Sequence, residues 1–335
     1  MTDRRTFLKA LSATPLLLAA GCATRESTTP PGVLNVGQIS DSVAFLPLFI
    51  AEKQGYFTQE GVTLGERPRL GTGAKVAAAL KSGSIDLGAG VITDAFNLAK
   101  IDNGTRITTS LVTEYYVDIV VPPSFPEPES LEQKVTALLG RNIGITGPGS
   151  GTEALVDYLF TSIGRNAATD ATLVNLGSAT TSAIGALKTK RVDALAFFQP
   201  IAQQAAAAGV GRTFISPARG DVPSLRGALH GVVFSTQKLL NRKKNELAGF
   251  QRAIARALAD IHGDQAKVRS LLGQYLKGTD GKALDALIPI LRQEVPASPD
   301  VQRAAYDTAR SFHLTSGLVK KAPEYQGVLY GQTAT

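Results

Sequence analysis

The sequence contains no tryptophan, one cysteine and one methionine in 335 residues. The single cysteine, Cys22, cannot form an internal disulfide, so the hydrophobic core has to stabilise the fold. The three histidines, His230, His262 and His313, are far apart and lack the spacing of a metal site. The 35 lysines and arginines are scattered along the chain, whereas a nucleic-acid surface needs them clustered. These absences predict a protein without a metal, a cofactor or a nucleic-acid partner.

The N-terminal segment is typical of exported proteins. Its apolar run, residues 10–20, is too short to span a bilayer. The run follows the basic start MTDRRTFLK and leads into LAAGC, which ends at Cys22. This arrangement resembles a twin-arginine export signal with a lipobox, although alanine stands three residues before the cysteine, where leucine is expected. We expect residues 1–22 to be an export signal cut before a lipidated Cys22, and residues 23–32 to be a flexible tether. The alternative is an ordinary secretory signal with a chance cysteine.

The centre of the sequence combines a strand, a glycine-rich turn and a helix. Residues 142–146 predict a short strand, GPGSG follows at 147–151, and the next apolar positions predict a helix that ends at Gly164. Ser150 and Glu153 fit a capping box at the helix start. Such a turn exposes backbone N–H groups and the positive end of a helix dipole, which suits an anion or a polar ligand atom. Ser150 therefore has two compatible roles, helix N-cap and ligand contact.

Strands and helices alternate in the first half of the chain, and the same order recurs in the second half. The first copy has strands at 33–37, 61–70 and 84–88 and helices at 47–54 and 74–81; the second has strands at 142–146 and 171–176 and a helix at 180–188. ALKSGSID in the first copy matches ALKTKRVD in the second at a constant offset of 107 residues. This duplication predicts two α/β lobes whose strand ends face each other across a cleft.

Two further strands mark where the chain crosses between the lobes. They are predicted at 116–121 and 230–234. We therefore predict that residues 33–116 and 230–335 form lobe 1 and that residues 117–229 form lobe 2. After the second crossing the sequence is mainly helical, and the first long helix has a one-sided apolar stripe that should pack on lobe 1.

Four blocks of sequence carry a resemblance to a known family. They are LPLFIAEKQGYFTQEGV at 46–62, ALKSGSID at 79–86, GPGSGT at 147–152 and ALKTKRVDA at 186–194. In this order they resemble recurrent blocks of the solute-binding proteins of ABC importers for nitrate, sulfonates, taurine and thiamine-related pyrimidines. The resemblance extends from Leu34 to about Phe312.

The resemblance implies a two-lobed α/β periplasmic-binding-protein fold of type II, with two hinge crossings and a mostly parallel sheet flanked by helices in each lobe. It implies a monomer without enzymatic activity that captures a small-molecule solute in the cleft. The solute is then delivered to an ABC permease in the inner membrane, driven by its ATPase. The expected location is the periplasm or the outer face of the cytoplasmic membrane, with an anchor at lipidated Cys22.

Family position and strand-end geometry select the same candidate ligand-binding residues. In lobe 1 they are Ser40, Asp41, Ser42, Thr72, Gly90, Thr93, Thr113, Glu114 and Tyr115. In lobe 2 they are Gly149, Ser150, Gly151, Thr152, Asn175, Ser178, Phe198 and Gln199. The competing interpretation of each residue is a cap, turn or core role.

Two solute chemistries are compatible with the sequence. The glycine turn favours an anion such as a sulfonate, nitrate or a carboxylate. The net charge of +7 falls to +5 when Arg4, Arg5, Lys9 and Asp3 leave with the signal, and this mild positive charge also fits an anion. The acidic residues Asp41, Asp94 and Glu114 instead favour an amino group or an aminopyrimidine ring. We expect a small organic anion or zwitterion, with a thiamine-precursor aminopyrimidine as the alternative.

Two other functions compete with transport. The resemblance extends to fungal-type enzymes that make the thiamine pyrimidine, which rely on a cysteine-rich iron-binding run and a reacting histidine. This sequence has no cysteine after Cys22 and its histidines are dispersed, so an enzyme is the weaker hypothesis. A protein that presents bound solute to a membrane receptor is the other alternative.

Overall fold

The computed structural model describes residues 30–331. The predicted export signal, Cys22 and residues 23–29 of the predicted tether lie outside the described residues. No helix within residues 30–331 is both long enough and apolar enough to cross a membrane.

The described part of the chain alternates strands and helices in its first two thirds and is helical afterwards. The strands are β1 (Val33–Leu34), β2 (Val36–Gln38), β3 (Thr63–Leu64), β4 (Leu87–Val91), β5 (Thr105–Val112), β6 (Val117–Val121), β7 (Asn142–Ile145), β8 (Thr172–Asn175), β9 (Ala194–Phe198), β10 (Arg212–Ile215) and β11 (Gly231–Thr236). The helices up to β11 are α1 (Leu46–Lys53), α2 (Tyr56–Gln59), α3 (Gly73–Ser82), α4 (Ile92–Ala99), α5 (Leu131–Thr136), α6 (Gly151–Ser162), α7 (Ala167–Asp170), α8 (Thr180–Lys188) and α9 (Ile201–Ala207). The later helices are α10 (Gln237–Arg242), α11 (Lys244–His262), α12 (Gln265–Tyr275), α13 (Gly281–Glu294), α14 (Arg303–Thr315) and α15 (Tyr325–Val328). Short 3-10 helices lie at Val43–Phe45, Pro217–Arg219 and Pro223–Leu225.

Two sheets form the two lobes. The sheet of lobe 1 has four strands in the order β2-β4-β11-β5, and the sheet of lobe 2 has five in the order β10-β6-β9-β7-β8. The strands β1 and β3 form a separate parallel pair. All strands of each sheet fall on the predicted side of the lobe boundaries, which themselves stay a prediction.

Each sheet contains one strand that runs against all the others. In lobe 1, β2 and β4 are parallel, while β11 is antiparallel to both of its neighbours. In lobe 2, β7 is parallel to β8 and β9, while β6 is antiparallel to β9 and β10. The predicted fold class is confirmed, but both sheets are mixed instead of purely parallel. The antiparallel strands are the ones that follow the crossings: β6 is the first strand of lobe 2, and β11 is the first strand after the chain returns to lobe 1.

Glycines end several of the helices where the sequence predicts it. Gly55 follows α1 with φ 67°, Gly83 follows α3 with φ 71°, and Gly164 follows α6 with φ 70°. This left-handed conformation is strained for residues with a Cβ atom, so glycine at these positions stops the helix. After each of these glycines the chain can turn back towards the sheet of its lobe.

The internal duplication extends to individual hydrogen bonds. The backbone N–H of Asn35 donates to Oδ2 of Asp86 over 2.9 Å, and the backbone N–H of Asn142 donates to Oδ2 of Asp193 over 2.9 Å. In each pair the aspartate N–H returns a bond of 2.8 Å to the asparagine carbonyl. Both pairs tie the start of the first strand of a lobe to the strand beside it. The matched aspartates are therefore structural residues.

The C-terminal helices contact both lobes. As predicted, α11 packs on lobe 1, where the rings of Phe250 and Phe57 stack with centroids 5.3 Å apart. At the end of α13, Gln293 Nε2 donates to the Ala218 carbonyl of lobe 2 over 3.1 Å. On α14, Phe312 belongs to the core cluster of lobe 2. The C-terminal region assigned to lobe 1 therefore also braces lobe 2.

Candidate functional site

A cavity of about 430 Å³ lies between the two lobes. Lobe 1 contributes the loop after β2, the start of α3 and the face of α4; lobe 2 contributes the glycine turn before α6 and the end of β9. Tyr116 and His230, at the two crossings between the lobes, also line the cavity. The volume lies in the range of sites for small organic molecules.

Two helices begin at the cavity wall with free backbone donors. Thr72 caps α3, because its hydroxyl oxygen accepts a bond from the Lys75 N–H over 3.3 Å. The next two residues, Gly73 and Ala74, line the cavity, and their N–H groups have no acceptor within residues 30–331. The same holds at the start of α6 for Gly151 and Thr152. These four N–H groups can bind polar atoms of a solute.

The predicted N-cap of α6 is confirmed, while the capping box differs from the prediction. The Ser150 hydroxyl oxygen accepts a bond from the Glu153 N–H over 3.3 Å. The Glu153 carboxylate accepts from the N–H of Gly149 instead of the N–H of Ser150. The Ser150 N–H donates to the Gly147 carbonyl over 3.3 Å, and Gly149 between them is left-handed, with φ 76°. One of the donors expected to face the solute is thus already bonded.

Asp94 is the acidic residue of the cavity wall. It lies in the first turn of α4, is 7% exposed, and accepts a 2.9 Å bond from the Val91 N–H through Oδ2. A Cβ atom on Gly73 would overlap the Asp94 carboxylate, so this carboxylate lies directly against the start of α3. Burial raises the pKa of Asp94 to about 6. The group is therefore mainly ionised at neutral pH, at a cost in desolvation.

One lysine lines the cavity, and its charge is already paired. The Nζ atom of Lys81 lies 3.2 Å from Oδ2 of Asp102. His230 also lines the cavity, but burial lowers its pKa well below the usual range, so the ring is neutral. The lining residues therefore offer no unpaired positive side chain to an anionic solute.

Aromatic rings and two histidines pack at the crossings between the lobes. The His230 ring lies between Tyr115 and Tyr116, at centroid distances of 4.0 Å and 4.7 Å. Nε2 of His313 lies 2.6 Å from the Thr93 hydroxyl, and its Nδ1 lies 2.7 Å from the Ala309 carbonyl oxygen. A carbonyl only accepts, so Nδ1 carries the proton and Nε2 accepts from Thr93. The Thr93 hydroxyl is thus used within the protein.

The structure brings about half of the predicted ligand residues to the cavity wall. Those that line it are Ser40, Thr72, Gly149, Ser150, Gly151, Thr152, Ser178 and Phe198. Those that do not are Asp41, Ser42, Gly90, Thr93, Thr113, Glu114, Tyr115, Asn175 and Gln199. Contact with a solute stays a prediction for both groups.

Several of the residues outside the wall are engaged elsewhere. Asp41 pairs with Arg69 over 2.7 Å, and Glu114 accepts from the Gly227 N–H over 3.1 Å. The Tyr115 hydroxyl donates to the Gly151 carbonyl, and Asn175 Oδ1 accepts from the Gly177 N–H over 3.0 Å. Sequence position alone does not distinguish such structural bonds from ligand contacts, because both use polar residues at strand ends.

Six polar residues of the wall are absent from the predicted binding set. They are Lys81, Asp94, Asn97, Tyr116, Thr146 and His230. Helical periodicity would have found Asn97, which lies four residues after Thr93 and one turn beyond Asp94 on the same helix. His230 stands at the predicted second crossing, where a residue can reach the cleft from the hinge.

Fold and cleft together define the class: the chain has the two-lobed periplasmic-binding-protein fold, with a cavity between the lobes. Solved structures share this fold. A Bordetella bronchiseptica RB50 protein is 22% identical, with a TM-score of 0.73 over 85% of this chain and 89% of its own. The alkanesulfonate-binding protein SsuA from Xanthomonas axonopodis pv. citri, bound to MOPS, is 18% identical, with a TM-score of 0.70 over 88% and 96%. The periplasmic nitrate-binding protein NrtA from Synechocystis PCC 6803 is 13% identical, with a TM-score of 0.62 over 75% and 68%.

The sequence also identifies the family. The profile of the NMT1-like family matches residues 28–273, and the chain belongs to this family. The resemblance drawn from the four sequence blocks is thereby confirmed. No curated protein sequence matches the chain significantly.

Proposed function

We propose that this protein is the extracytoplasmic solute-binding component of an ABC importer. The observation that carries the proposal is the cavity between the lobes, which is lined by residues from both. A solute held there contacts both lobes only when they are together. Its binding energy therefore shifts the hinge equilibrium towards the closed form, which an importer's permease can recognise.

The solute of this proposal is a small organic anion or zwitterion of the sulfonate, taurine or nitrate type. The free N–H groups of Gly73, Ala74, Gly151 and Thr152 support it, because they offer uncharged donors at two helix starts. The fold shared with proteins that bind alkanesulfonates and nitrate also supports this class.

The alternative solute is an aminopyrimidine, such as a precursor of thiamine. The apolar side chains of Ile39, Val91 and Phe198 in the cavity wall favour it, since they suit a ring better than a fully hydrated ion. The Asp94 carboxylate can accept bonds from a ring amino group.

The cellular setting belongs to the same proposal. Cleavage before Cys22 and lipidation of its thiol would hold the protein at the outer face of the cytoplasmic membrane, next to the permease and its ATPase. We propose that the protein acts as a monomer and performs no catalysis. A role in presenting solute to a receptor would use the same closed form.

A thermal-unfolding screen of the chain from residue 23 onward tests the proposal. Its panel holds taurine, alkanesulfonates, nitrate, small carboxylates and aminopyrimidines. A solute present at a hundred times its dissociation constant should raise the free energy of unfolding by about 2.7 kcal/mol. A clear rise with one solute class supports a binding protein for that class. A flat response to the whole panel contradicts the proposed solutes.

A further inference from the structure

The binding cavity holds one buried carboxylate, Asp94, that is not paired with a basic side chain of the described residues. Asp94 accepts a single hydrogen bond, from the Val91 N–H, and no lysine or arginine within residues 30–331 pairs with it. The Lys81 ammonium belongs to Asp102, and burial keeps His230 neutral. A buried carboxylate without a cation is costly unless a bound molecule supplies the missing donor.

The same carboxylate weakens the site for a simple anion. It lies against the start of α3, beside the free N–H groups of Gly73 and Ala74. At the other helix start, the Glu153 carboxylate already accepts from Gly149. An anion placed at either group of donors therefore has a carboxylate nearby, and in a cavity closed to water this repulsion is only weakly screened.

Apolar side chains line the same cavity as Asp94. Ala74, Ala77 and Val91 lie in the same wall, and Phe198 contributes a ring from lobe 2. These side chains make no hydrogen bonds, so they suit the hydrocarbon or aromatic body of a solute. The apolar part of the wall suits a solute with a compact apolar body, and the Asp94 carboxylate suits an N–H donor on that solute.

We propose that the solute carries an N–H donor group, either a protonated amine or the amino group of a heterocycle, which binds the Asp94 carboxylate, and that simple anions are bound poorly. The inference rests on the proposed solute-binding function and narrows its solute class. An aminoalkanesulfonate and an aminopyrimidine share the required chemistry. Nitrate and unsubstituted alkanesulfonates lack it.

A competing role for Asp94 is purely structural, since its carboxylate caps the start of α4. The substitution Asp94→Asn separates the two roles. The asparagine side-chain oxygen can still accept from the Val91 N–H, so the cap is kept while the charge is removed. Asp264→Asn is the matched control, because Asp264 caps α12 through the N–H groups of Ala266 and Lys267 and does not line the cavity.

The experiment compares two pairs of probes that differ by one amino group: taurine with ethanesulfonate, and 4-aminopyrimidine with pyrimidine. Titration calorimetry is carried out on the wild-type chain from residue 23 onward and on both variants. In at least one pair, the amino member should bind wild type about tenfold tighter or more, as expected for a bond to a charged acceptor. Asp94→Asn should remove this preference, while Asp264→Asn should keep it.

Three results overturn the inference. The first is equal or tighter binding of the members without the amino group. The second is an Asp94→Asn variant that retains the preference. The third is no binding of either amino probe at about 10 mM, where even a Kd near 1 mM would be detected. The comparison of pairs in wild type stands even if Asp94→Asn fails to fold. If the first result is found as tight binding of ethanesulfonate that the Asp94→Asn substitution does not change, this inference fails while the proposed transport function stands.

Discussion

The side-chain amide of Asn97 donates a hydrogen bond from Nδ2 to the carbonyl oxygen of Gly149 over 3.3 Å. Asn97 lies on α4 of lobe 1, and Gly149 lies in the glycine turn of lobe 2. Both residues line the cavity. The bond crosses the cleft, so it forms only when the lobes are together and favours the closed form over the open one.

Asn97→Ala should therefore weaken solute binding without destabilising the lobes. Loss of one hydrogen bond of about 0.5–1.5 kcal/mol predicts a two- to tenfold higher Kd. Calorimetric titration with the solute found in the thermal screen measures this change. Gln237→Ala is the control, because that side chain bonds Asn241 over 2.9 Å on the exposed surface. An unchanged Kd in Asn97→Ala would show that the bond across the cleft plays no part in closure.

Ser150→Ala tests whether the cap of α6 also contacts the solute. Loss of an N-cap should lower the free energy of unfolding by about 1 kcal/mol. We expect the affinity for solute to fall as well, because Ser150 lines the cavity. Ser130→Ala is a matched control, since Ser130 caps α5 through a 3.2 Å bond from Gln133 and does not line the cavity. If both variants lose stability and neither loses affinity, Ser150 is a cap alone.

Two buried carboxyl groups should make the stability depend on pH. Asp118 is 1% exposed and Glu294 is fully buried, and three of their four carboxyl oxygens have no hydrogen-bond partner within residues 30–331. Burial raises the pKa of Asp118 to about 7. Burial, and then the nearby Asp118, raises the pKa of Glu294 well above its usual range. The folded state therefore binds these protons more tightly than the unfolded chain.

The sign of the effect follows from this difference. Stability from a raised carboxyl pKa is complete below the unfolded pKa of about 4 and is lost as the pH rises through the folded pKa. Unfolding by urea at several pH values should therefore show wild type losing stability from about pH 4 upward, through the Asp118 pKa of about 7 and on until Glu294 ionises. The loss is about 1.4 kcal/mol for each unit of pKa shift. Glu294→Gln should flatten this profile, whereas the exposed Glu129→Gln should not. Parallel profiles for wild type and Glu294→Gln would refute the prediction.

Cys22→Ala tests the lipid anchor, which lies outside the described residues. If Cys22 is lipidated, wild type expressed with its own signal should sediment with membranes, and Cys22→Ala should be found in the soluble extracytoplasmic fraction. Fractionation of the expressing cells and mass measurement of the mature N-terminus check both points. A Cys22→Ala protein that still sediments with membranes would contradict the anchor.

Much of the fold could be predicted from local patterns. The helix α8 has the predicted bounds, and Gly55, Gly83 and Gly164 end helices as expected. The repeat found at an offset of 107 residues corresponds to matched hydrogen bonds at Asp86 and Asp193. These features depend on residues close together in the chain or on a pattern that is repeated, which is why a single sequence shows them.

The candidate site was less predictable. Asp41, Asp94 and Glu114 are similar acidic residues near strand ends, and the sequence gives no reason to prefer one. In the structure Asp41 pairs with Arg69 and Glu114 bonds Gly227, while Asp94 lines the cavity. Their different roles depend on partners distant in the chain, which local pattern does not reveal.

The sequence by itself determined that the chain forms two related α/β lobes with a glycine turn at a helix start. The hydrophobic periodicity and the glycine positions are local properties of the chain, and the duplication is visible when its two halves are compared. Only the tertiary structure decided which polar groups face the cleft. It inserted β6 and β11 against the direction of their neighbours, bonded the Gly149 N–H to Glu153 and left Asp94 without a cation. The physical reason is that charge and hydrogen-bond partners in a cleft are assembled from both lobes, so they exist only after the lobes have folded and met.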